Sequence, residues 1–372
     1  MRVVTVQLRD FRSYTRAQAR IGSGLTVVHG PNGAGKSNLL EALYYGCTAR
    51  SPRTRNEREL VRFGAQATRV VVALHDEDRA HELSVGFGAL GEGSQPVKRM
   101  TADGAPVTRL LDVDNRPLVS VFLPDRLELV KGPPAARRAH LDQVIAAIWP
   151  LRGSARRRYS RVLAQRNALL MRIRSGRAGE ATLAAWDREL ASSAIELRGH
   201  REQAVALLAE PFAERAAQLG CAGELALEYR PRSRADGEQA FVTELAERLR
   251  GDLERGFSAH GPHRDELMLR RDGRDLRVYG SQGEQRMALL ALLLAERTVL
   301  AEVRGNPPLM LLDDVMSELD GERRELLARE LRAGGQSVIA TTDLAHVPSA
   351  SDGGVTRLRI SPGAILQDAI AA

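Results

Sequence analysis

A glycine-rich segment, GPNGAGKS at residues 30–37, constrains the fold of this chain more than any other part of its sequence. It matches the pattern G-x-x-x-x-G-K-[ST] in full, after a predicted strand at Leu25–His29 and before a predicted helix. Glycines let the backbone turn its N–H groups toward phosphate oxygens, and the helix dipole adds a positive end. The alternative is a glycine-rich turn with a chance lysine, which the strand–loop–helix context disfavours. The segment therefore predicts a site for ATP in an α/β domain.

Two parts of the sequence are predicted to act on the nucleotide. Lys36 is expected to reach the β- and γ-phosphates and to assist catalysis, and Ser37 is expected to bind Mg²⁺. The run LMLLDD at 309–314 is a predicted strand that ends in two carboxylates, where ligands bind to a parallel sheet. Asp313 is predicted to hold Mg²⁺ and Asp314 to orient or deprotonate the attacking water; a strand ending in solvated acids is the alternative. The residues predicted to contact the nucleotide are Gly30, Pro31, Asn32, Gly33, Ala34, Gly35, Lys36, Ser37 and Asn38.

Composition narrows the class of protein. The 372 residues can form two domains or one large one, and the net charge of +7 is a mild argument for a polyanionic partner, although an arginine-rich proteome gives the same balance. The two cysteines, Cys47 and Cys221, form neither a metal-binding spacing nor a disulfide framework. No apolar run approaches the length of a membrane span. We expect a cytoplasmic protein with no membrane partner.

The chain changes character twice. Residues 1–125 and 255–372 alternate predicted strands and helices, whereas residues 126–254 are rich in Ala, Leu and Arg at helical spacing. Pro211 is predicted to kink or break one of these helices. The sequence therefore predicts an α/β, P-loop ATPase head (1–125 and 255–372) that is interrupted by an inserted α-helical arm (126–254).

A basic run at residues 131–177 begins in the predicted arm and holds twelve Lys or Arg residues against the single acid Asp142. One interpretation is a solvated helical face, and the other is a surface that follows DNA phosphates. Aromatic residues are scarce in the run, so contact with the backbone of duplex DNA is favoured over base stacking. The candidates for DNA contact in this run are Arg156, Arg157, Arg158 and Arg161.

The segment YGSQGEQR at residues 279–286 leads from polar residues into a strongly apolar helix. Ser281 and Glu284 have the spacing of a capping box, which would simply start that helix. The same residues also fit the pattern S-x-G-x-Q, formed by Ser281, Gln282, Gly283, Glu284 and Gln285.

These motifs occur in an order that resembles the ATP-binding cassette superfamily. A segment that resembles the D-loop follows the acidic strand, at Ser317, Glu318, Leu319 and Asp320. In that superfamily the signature of one subunit closes over the γ-phosphate held by another, so the resemblance implies an ATP-dependent homodimer in which Ser281 serves a partner's ATP. Lys36 and Ser281 are 245 residues apart (281 − 36 = 245), much farther than in transporter cassettes. This spacing resembles the chromosome-maintenance and repair branch.

Within this branch the chain is similar to the RecF family of bacterial recombination mediators over essentially its whole length. The most specific stretches are KGPPAARRAHLD at 131–142 and GPHRDEL at 261–267. The resemblance implies an ATP-switched protein of DNA repair, replication restart and the SOS response that binds gapped DNA or junctions of single- and double-stranded DNA. It also implies that the protein assists RecO and RecR in loading RecA. The alternative is a cassette ATPase that drives transport or structural chromosome maintenance.

Five details refine this expectation. The acidic pair is Asp313–Asp314 where Asp-Glu is usual, and Thr342 stands where cassettes carry a histidine, so we expect slow, weak, DNA-dependent ATP hydrolysis. The region of the metal-sensing loop carries Pro124–Asp125 rather than a glutamine. Arg53 resembles an arginine that this branch holds near nucleotide and DNA. The pair His263–Arg264 either couples DNA contact to the ATP site or belongs to a structural turn.

Overall fold

The computed structural model describes residues 1–76, 79–89, 95–114 and 116–367; the side chains of Pro124 and Asp125 lie outside the described part. Contacts divide the chain into a first unit, Met1–Arg126 with Leu300–Ala372, and a second unit, Leu127–Val299. This differs from the sequence division, which placed the second boundary near residue 254. The difference arises because a strand before that boundary pairs with a strand after it.

The elements alternate between strands and helices along most of the chain. The strands are β1 (Arg2–Phe11), β2 (Tyr14–Arg20), β3 (Leu25–His29), β4 (Ala67–Asp76), β5 (Arg79–Gly88), β6 (Val97–Ala102), β7 (Ala105–Pro106), β8 (Val119–Phe122), β9 (Leu225–Arg230), β10 (Glu266–Arg271), β11 (Arg274–Asp275), β12 (Leu309–Asp313), β13 (Ser337–Thr341), β14 (Thr356–Ser361) and β15 (Ala364–Gln367). The helices are α1 (Lys36–Thr48), α2 (Glu128–Lys131), α3 (Pro134–Ile148), α4 (Ala155–Arg174), α5 (Leu183–Gln218), α6 (Glu238–Glu247), α7 (Leu249–Arg255), α8 (Leu276–Tyr279), α9 (Gln282–Arg304) and α10 (Gly321–Ala333). The α/β fold class predicted from the sequence is confirmed.

A largely parallel sheet forms the centre of the first unit. Its order is β15-β14-β3-β13-β12-β8, and only β15 runs antiparallel to its neighbour. Every residue of β12 and β13 is buried, which explains why the acidic strand reads as an unbroken apolar run. Because these strands are parallel, the carboxyl ends of β3, β13 and β12 lie side by side at one edge.

The first unit also contains an antiparallel sheet in the order β2-β1-β4-β5-β6-β7. One of its faces packs with α1 in the hydrophobic core, through residues such as Val6 and Val72. A Cβ on Gly46 of α1 would lie 2.4 Å from a methyl carbon of Val72, so the helix needs glycine there to approach the sheet. The other face carries polar residues that alternate with the buried ones.

The second unit combines helices with a small sheet in the order β11-β10-β9. Helices α4 and α5 share a core that includes Tyr159, Leu190 and Leu197. Helix α5 runs through Pro211, so of the kink or break predicted at this proline, the break does not occur. None of the helices within the described residues is long and apolar enough to cross a membrane.

Candidate functional site

The loop between β3 and α1 has the backbone that its glycines permit. Gly30, Gly33 and Gly35 have φ values of 153°, 76° and 118°, a region that side chains disfavour. A Cβ on Gly35 would lie 2.8 Å from the hydroxyl oxygen of Tyr14, and one on Gly30 would lie 2.3 Å from the carbonyl oxygen of Ile360. The loop is therefore fixed both by its backbone angles and by its close packing.

The side chain of Lys36 lies within this loop. Its Nζ donates hydrogen bonds to the carbonyl oxygens of Gly30 at 2.9 Å and Pro31 at 3.0 Å, and the residue is only 6% exposed. Burial lowers the pKa of Lys36, while the carboxylates of Asp314 and Asp313 act in the opposite direction. The structure thus brings the lysine of the loop into the electrostatic field of the carboxylates at the end of β12.

Those two carboxylates have different surroundings. Asp313 is buried at the end of β12, and its carboxylate lies beside the hydroxyl of Ser37. Burial raises the pKa of Asp313, and the neighbouring hydroxyl of Ser37 only partly offsets this rise. Asp314 has a left-handed backbone (φ 50°), and its Oδ1 is buried without a hydrogen-bond partner within the described residues. Asp314 therefore keeps an acceptor available for a ligand or water.

Two further segments lie in the first unit beside these strands. Thr342 follows β13 directly and is half-buried, so it lies at the same edge of the sheet as the phosphate loop. In the predicted D-loop, the hydroxyl of Ser317 donates to the carbonyl oxygen of Asp314 at 2.8 Å. Leu319 is buried, Glu318 is exposed, and the side chain of Asp320 caps α10.

The signature segment lies in the second unit and starts α9. The Ser281 N–H donates to Glu284 Oε2 at 2.8 Å, and the Glu284 N–H donates to Ser281 Oγ at 3.3 Å, so the predicted capping box is present. Gln285 is buried and donates to the carbonyl oxygen of Leu276 at 2.8 Å. Unlike Ser281, Glu284 and Gln285, Gly283 has no evident structural role within its own chain. A Cβ there would meet nothing within 4 Å, and its φ is not positive. Packing within its own chain therefore does not require glycine at position 283.

Comparison with known proteins identifies the family. The model of the RecF/RecN/SMC N terminal domain matches residues 2–353. The DNA replication and repair protein RecF of Heliobacterium modesticaldum is 36% identical over 354 residues, which cover 93% of either chain. This chain belongs to the RecF family. The resemblance inferred from its motifs is thereby confirmed.

Solved structures agree with this assignment. A structure described as the recombination mediator protein RecF with ATP in the RecFOR pathway has a TM-score of 0.85 and 26% identity, over 99% of this chain and 97% of that one. An Smc head bound to the C-winged helix domain of ScpA has a TM-score of 0.60 and 15% identity, over 99% and 97% of the two chains. The second likeness concerns the fold alone, and together they support the ATPase head fold expected from the sequence.

The chain of this RecF family member holds Arg53 against the first turns of α1. Its Nη1 donates to Asn38 Oδ1 at 3.0 Å and to Glu41 Oε2 at 3.1 Å, although the side chain is still 38% exposed. Glu41 is buried and also receives a two-pronged bond from Arg12, at 2.8 and 2.9 Å. Sequence reasoning missed Arg12 and Glu41. The acid within the apolar run NLLEALYY was the signal that could have found Glu41.

The four candidate arginines of the basic run fall into two pairs. Arg158 forms ion pairs with Glu189 at 3.0 Å and Glu196 at 3.2 Å, and Arg156 lies 3.4 Å from Asp142. Arg157 and Arg161 are exposed on α4 and form no ion pair within the described part of the chain. The pairing means that only part of this face is available to an anionic ligand.

The GPHRD segment is held in the second unit by the hydrogen bonds of His263. His263 lies between the hydroxyl of Tyr159 at 2.6 Å and the carbonyl oxygen of Ser258 at 2.9 Å, and burial lowers its pKa. The next residue, Arg264, is exposed over the ring of Phe257. The contacts of His263 favour the structural-turn interpretation for this residue, whereas Arg264 remains available for contact.

Proposed function

We propose that this chain is an ATP-dependent DNA-binding protein of recombinational repair. The observation that carries the proposal is the group formed by Lys36, Ser37 and Asp313 at the phosphate loop of a RecF family member. Such a group binds a nucleoside triphosphate because a cation and inward N–H groups face its phosphates. The RecF relative with ATP supports ATP as the nucleotide.

The residues at this loop also fit Mg²⁺. The hydroxyl oxygen of Ser37 and the carboxylate oxygen of Asp313 are hard oxygen ligands that already lie in contact, and Mg²⁺ is bound through few protein oxygens and the substrate phosphates. A bound Mg²⁺ would neutralise charge on the phosphates. Lys36 holds the β- and γ-phosphates, and the available oxygen of Asp314 orients the attacking water.

Slow hydrolysis follows from two side chains. Asp314 is shorter than the glutamate usual at this position, so it holds the water less closely. Thr342 cannot act as a general base or carry a positive charge, as a histidine could. ATP hydrolysis then acts as a timer for release from DNA rather than as the source of a power stroke.

The ATP state is a homodimer in which the signature covers the partner's nucleotide. Ser281 and Gly283 are exposed, and glycine at 283 leaves room that the chain itself does not use. Val278 and Tyr279, just before Ser281, are each 66% exposed, an apolar surface that a second copy would cover. The γ-phosphate would bind at the N-terminal end of α9, where N–H groups and the helix dipole favour an anion.

The DNA target is gapped DNA or a junction of single and double strands, where the chain assists RecO and RecR in loading RecA. The RecF relative in the RecFOR pathway supports these partners, and the name of the Heliobacterium relative supports repair and replication. Arg53, Arg157 and Arg161 supply exposed positive charge for DNA phosphates. Replication restart and the SOS response are the processes that this loading would serve.

Equilibrium binding of the full chain to duplex, single-stranded and gapped DNA tests this function, by fluorescence anisotropy with ATP, with ADP and without nucleotide. We expect ATP to tighten binding and added salt to weaken it. Equal affinity with and without ATP would contradict the nucleotide switch. In a second assay, RecA filaments should form faster on gapped DNA when the chain is added to RecO and RecR; an unchanged rate would contradict the mediator role.

A further inference from the structure

The outer face of the antiparallel sheet carries a row of arginines that only the strand register reveals. Arg9 of β1 lies directly opposite Arg16 of β2 on one side and Arg69 of β4 on the other. The row continues from Arg69 to Gly86 of β5 and then to residue 99 of β6, which is again an arginine. We call this line of Arg16, Arg9, Arg69, Gly86 and Arg99 the arginine row.

All four side chains of the arginine row are available to a ligand. Each is exposed, and none forms an ion pair within residues 1–76, 79–89, 95–114 and 116–367. Arg69 Nε donates to the hydroxyl of Ser84 at 2.9 Å, which directs that guanidinium along the face. The adjacent register row contains no acid to neutralise the arginines; its members are Gln18, Gln7, Val71, Ser84 and Thr101.

Two features of the arginine row work against strand stability. Like charges that lie directly opposite each other on neighbouring strands repel, and here they do so at two successive pairs, Arg16–Arg9 and Arg9–Arg69. Glycine inside a strand also weakens it. Gly86 has no positive φ, and a Cβ there would make only an ordinary contact, 3.5 Å from the carbonyl oxygen of Thr68. Packing does not explain the glycine, and glycines of this kind often mark close approach of a ligand.

We propose that the arginine row binds the sugar–phosphate backbone of duplex DNA. This inference rests on the proposed function and adds a contact surface in the first unit, apart from the arginines of α4. Four strand-to-strand steps give the row a length of roughly 19 Å, since neighbouring strands lie about 4.8 Å apart. At about 3.4 Å of helix axis per phosphate of one strand, that length passes about five phosphates.

The chemistry of the face selects duplex over single-stranded DNA. Neither the arginine row nor the row beside it contains an aromatic side chain on which an unstacked base could lie. Guanidinium groups offer forked donors to phosphate oxygens, and a glycine between two arginines lets the backbone come close to the sheet. The contact is therefore expected to be independent of base sequence.

A salt titration of duplex binding with matched variants tests the proposal. In the full chain, Arg9, Arg16, Arg69 and Arg99 are all changed to alanine. The control chain loses the same charge at four other exposed arginines that form no ion pair within the described residues, namely Arg188, Arg234, Arg274 and Arg329. Each lost phosphate contact lowers the slope of log affinity against log salt by roughly one. The slope of the row variant should therefore fall by roughly three to four, and the slope of the control should change little.

Thermal unfolding distinguishes a loss of DNA contacts from a folding defect in the row variant. Removing the mutual repulsion of the arginines should leave the unfolding midpoint of the row variant unchanged or higher. If the arginines instead stabilise the sheet, the midpoint of the row variant should fall. A second pair of variants tests the effect of charge in the arginine row. Gly86→Glu and Gly86→Gln are similar in size but differ in charge, so Gly86→Glu should weaken duplex binding several-fold more than Gly86→Gln.

The outcomes separate the two claims. If the row variant and the control show equal slopes of log affinity against log salt and still bind duplex DNA, the arginine row is not a DNA contact. The proposed function is then unaffected. A wild-type chain that binds no DNA with or without ATP overturns both. Weaker binding of single-stranded DNA alone in the row variant would contradict the duplex assignment.

Discussion

The hydroxyl of Ser37 lies beside the buried carboxylate of Asp313, although the two residues are 276 positions apart in the chain (313 − 37 = 276). Burial raises the pKa of Asp313 above its ordinary value of 3.8. A carboxyl whose pKa is raised by folding stabilises the fold in acid, and that contribution is lost as the pH rises through the folded-state pKa.

Asp313→Asn should therefore unfold at a higher temperature than the wild type at neutral pH. The difference should shrink as the pH falls from the folded-state pKa toward 3.8 and should vanish well below 3.8, where the carboxyl is protonated in both states. Thermal unfolding across this pH range is the measurement, with Asp114→Asn at an exposed carboxyl as the control. A variant less stable than the wild type at neutral pH would contradict the assigned cost of the buried charge.

Lys36→Met should remove most ATP binding. The lysine is a buried cation at the phosphate loop, and a hydrogen bond to a charged group contributes about 1.5–3 kcal/mol, or about tenfold to a hundredfold in affinity. Isothermal titration with ATP measures the loss, and circular dichroism checks that the variant is folded. If the variant binds ATP with wild-type affinity, Lys36 does not contact the nucleotide.

Asp314→Asn should bind ATP normally but hydrolyse it far more slowly, because the amide cannot take a proton from the attacking water. The variant should also stay on DNA longer once ATP is bound. Single-turnover hydrolysis and DNA dissociation are the two measurements. Hydrolysis at the wild-type rate would reject the water-positioning role.

Gly283→Ala should separate folding from dimerisation. Within the first turn of α9, alanine should leave stability unchanged or raise it by up to about 1 kcal/mol. Among the described residues, nothing beyond the neighbouring helix backbone lies within 4 Å of the new methyl group, whereas the proposed dimer places a partner's phosphate against this position. Analytical ultracentrifugation with ATP should then show fewer dimers.

Gly199→Ala is the matched control for that experiment, since Gly199 lies within α5 and a Cβ there also meets nothing within 4 Å. It should leave ATP-driven dimerisation at the wild-type level. If Gly283→Ala dimerises as well as this control does, the signature does not face a partner's nucleotide.

The arginines of α4 should differ in their effect on DNA binding. Arg157→Ala with Arg161→Ala removes two exposed charges that form no ion pair among the described residues, and should reduce the slope of log affinity against log salt by roughly two. Arg156→Ala with Arg158→Ala breaks the ion pairs of two exposed arginines, and the buried Asp142 keeps its two hydrogen bonds from Arg201. The variant should therefore cost about 1 kcal/mol of stability or less and change the slope of the salt dependence less. Equal slopes for the two variants would mean that pairing does not restrict this face.

Local features of the sequence predicted the local features of the structure. The phosphate loop, the buried acidic strand and the capping box each depend on residues within a few positions of one another, so spacing alone predicts them. Parallel pairing of β3, β13 and β12 then brings two of these local features to one edge.

Long-range pairing accounts for what the sequence did not predict. Arg9 and Arg69 lie opposite each other only because β1 pairs with β4 in one register, and a shift by one residue would turn them away from a common face. The buried Glu41 joins Arg12 to Arg53 across a helix and two loops. Pro211 was predicted to kink or break its helix; α5 is not broken there, and burial of the neighbouring Leu208 and Phe212 favours its continuation over the local preference of proline.

The claim that each ATP site is shared between two chains underlies the whole proposed mechanism. Lys36→Met and Ser281→Arg each give a homodimer in which both sites fail, the first by losing a phosphate contact and the second by filling the space for the γ-phosphate. In a mixed dimer, one site collects both defects and the other contains only wild-type residues. A capping box acts within its own chain and predicts no such rescue.

Steady-state ATP turnover of Lys36→Met and Ser281→Arg, mixed across ratios with differently tagged chains to confirm heterodimers, tests this claim most directly. The shared site predicts that two inactive proteins regain hydrolysis, up to about half of the wild-type rate per mixed dimer if the sites act independently. Confirmed heterodimers that neither hydrolyse ATP nor retain one high-affinity ATP site would contradict it.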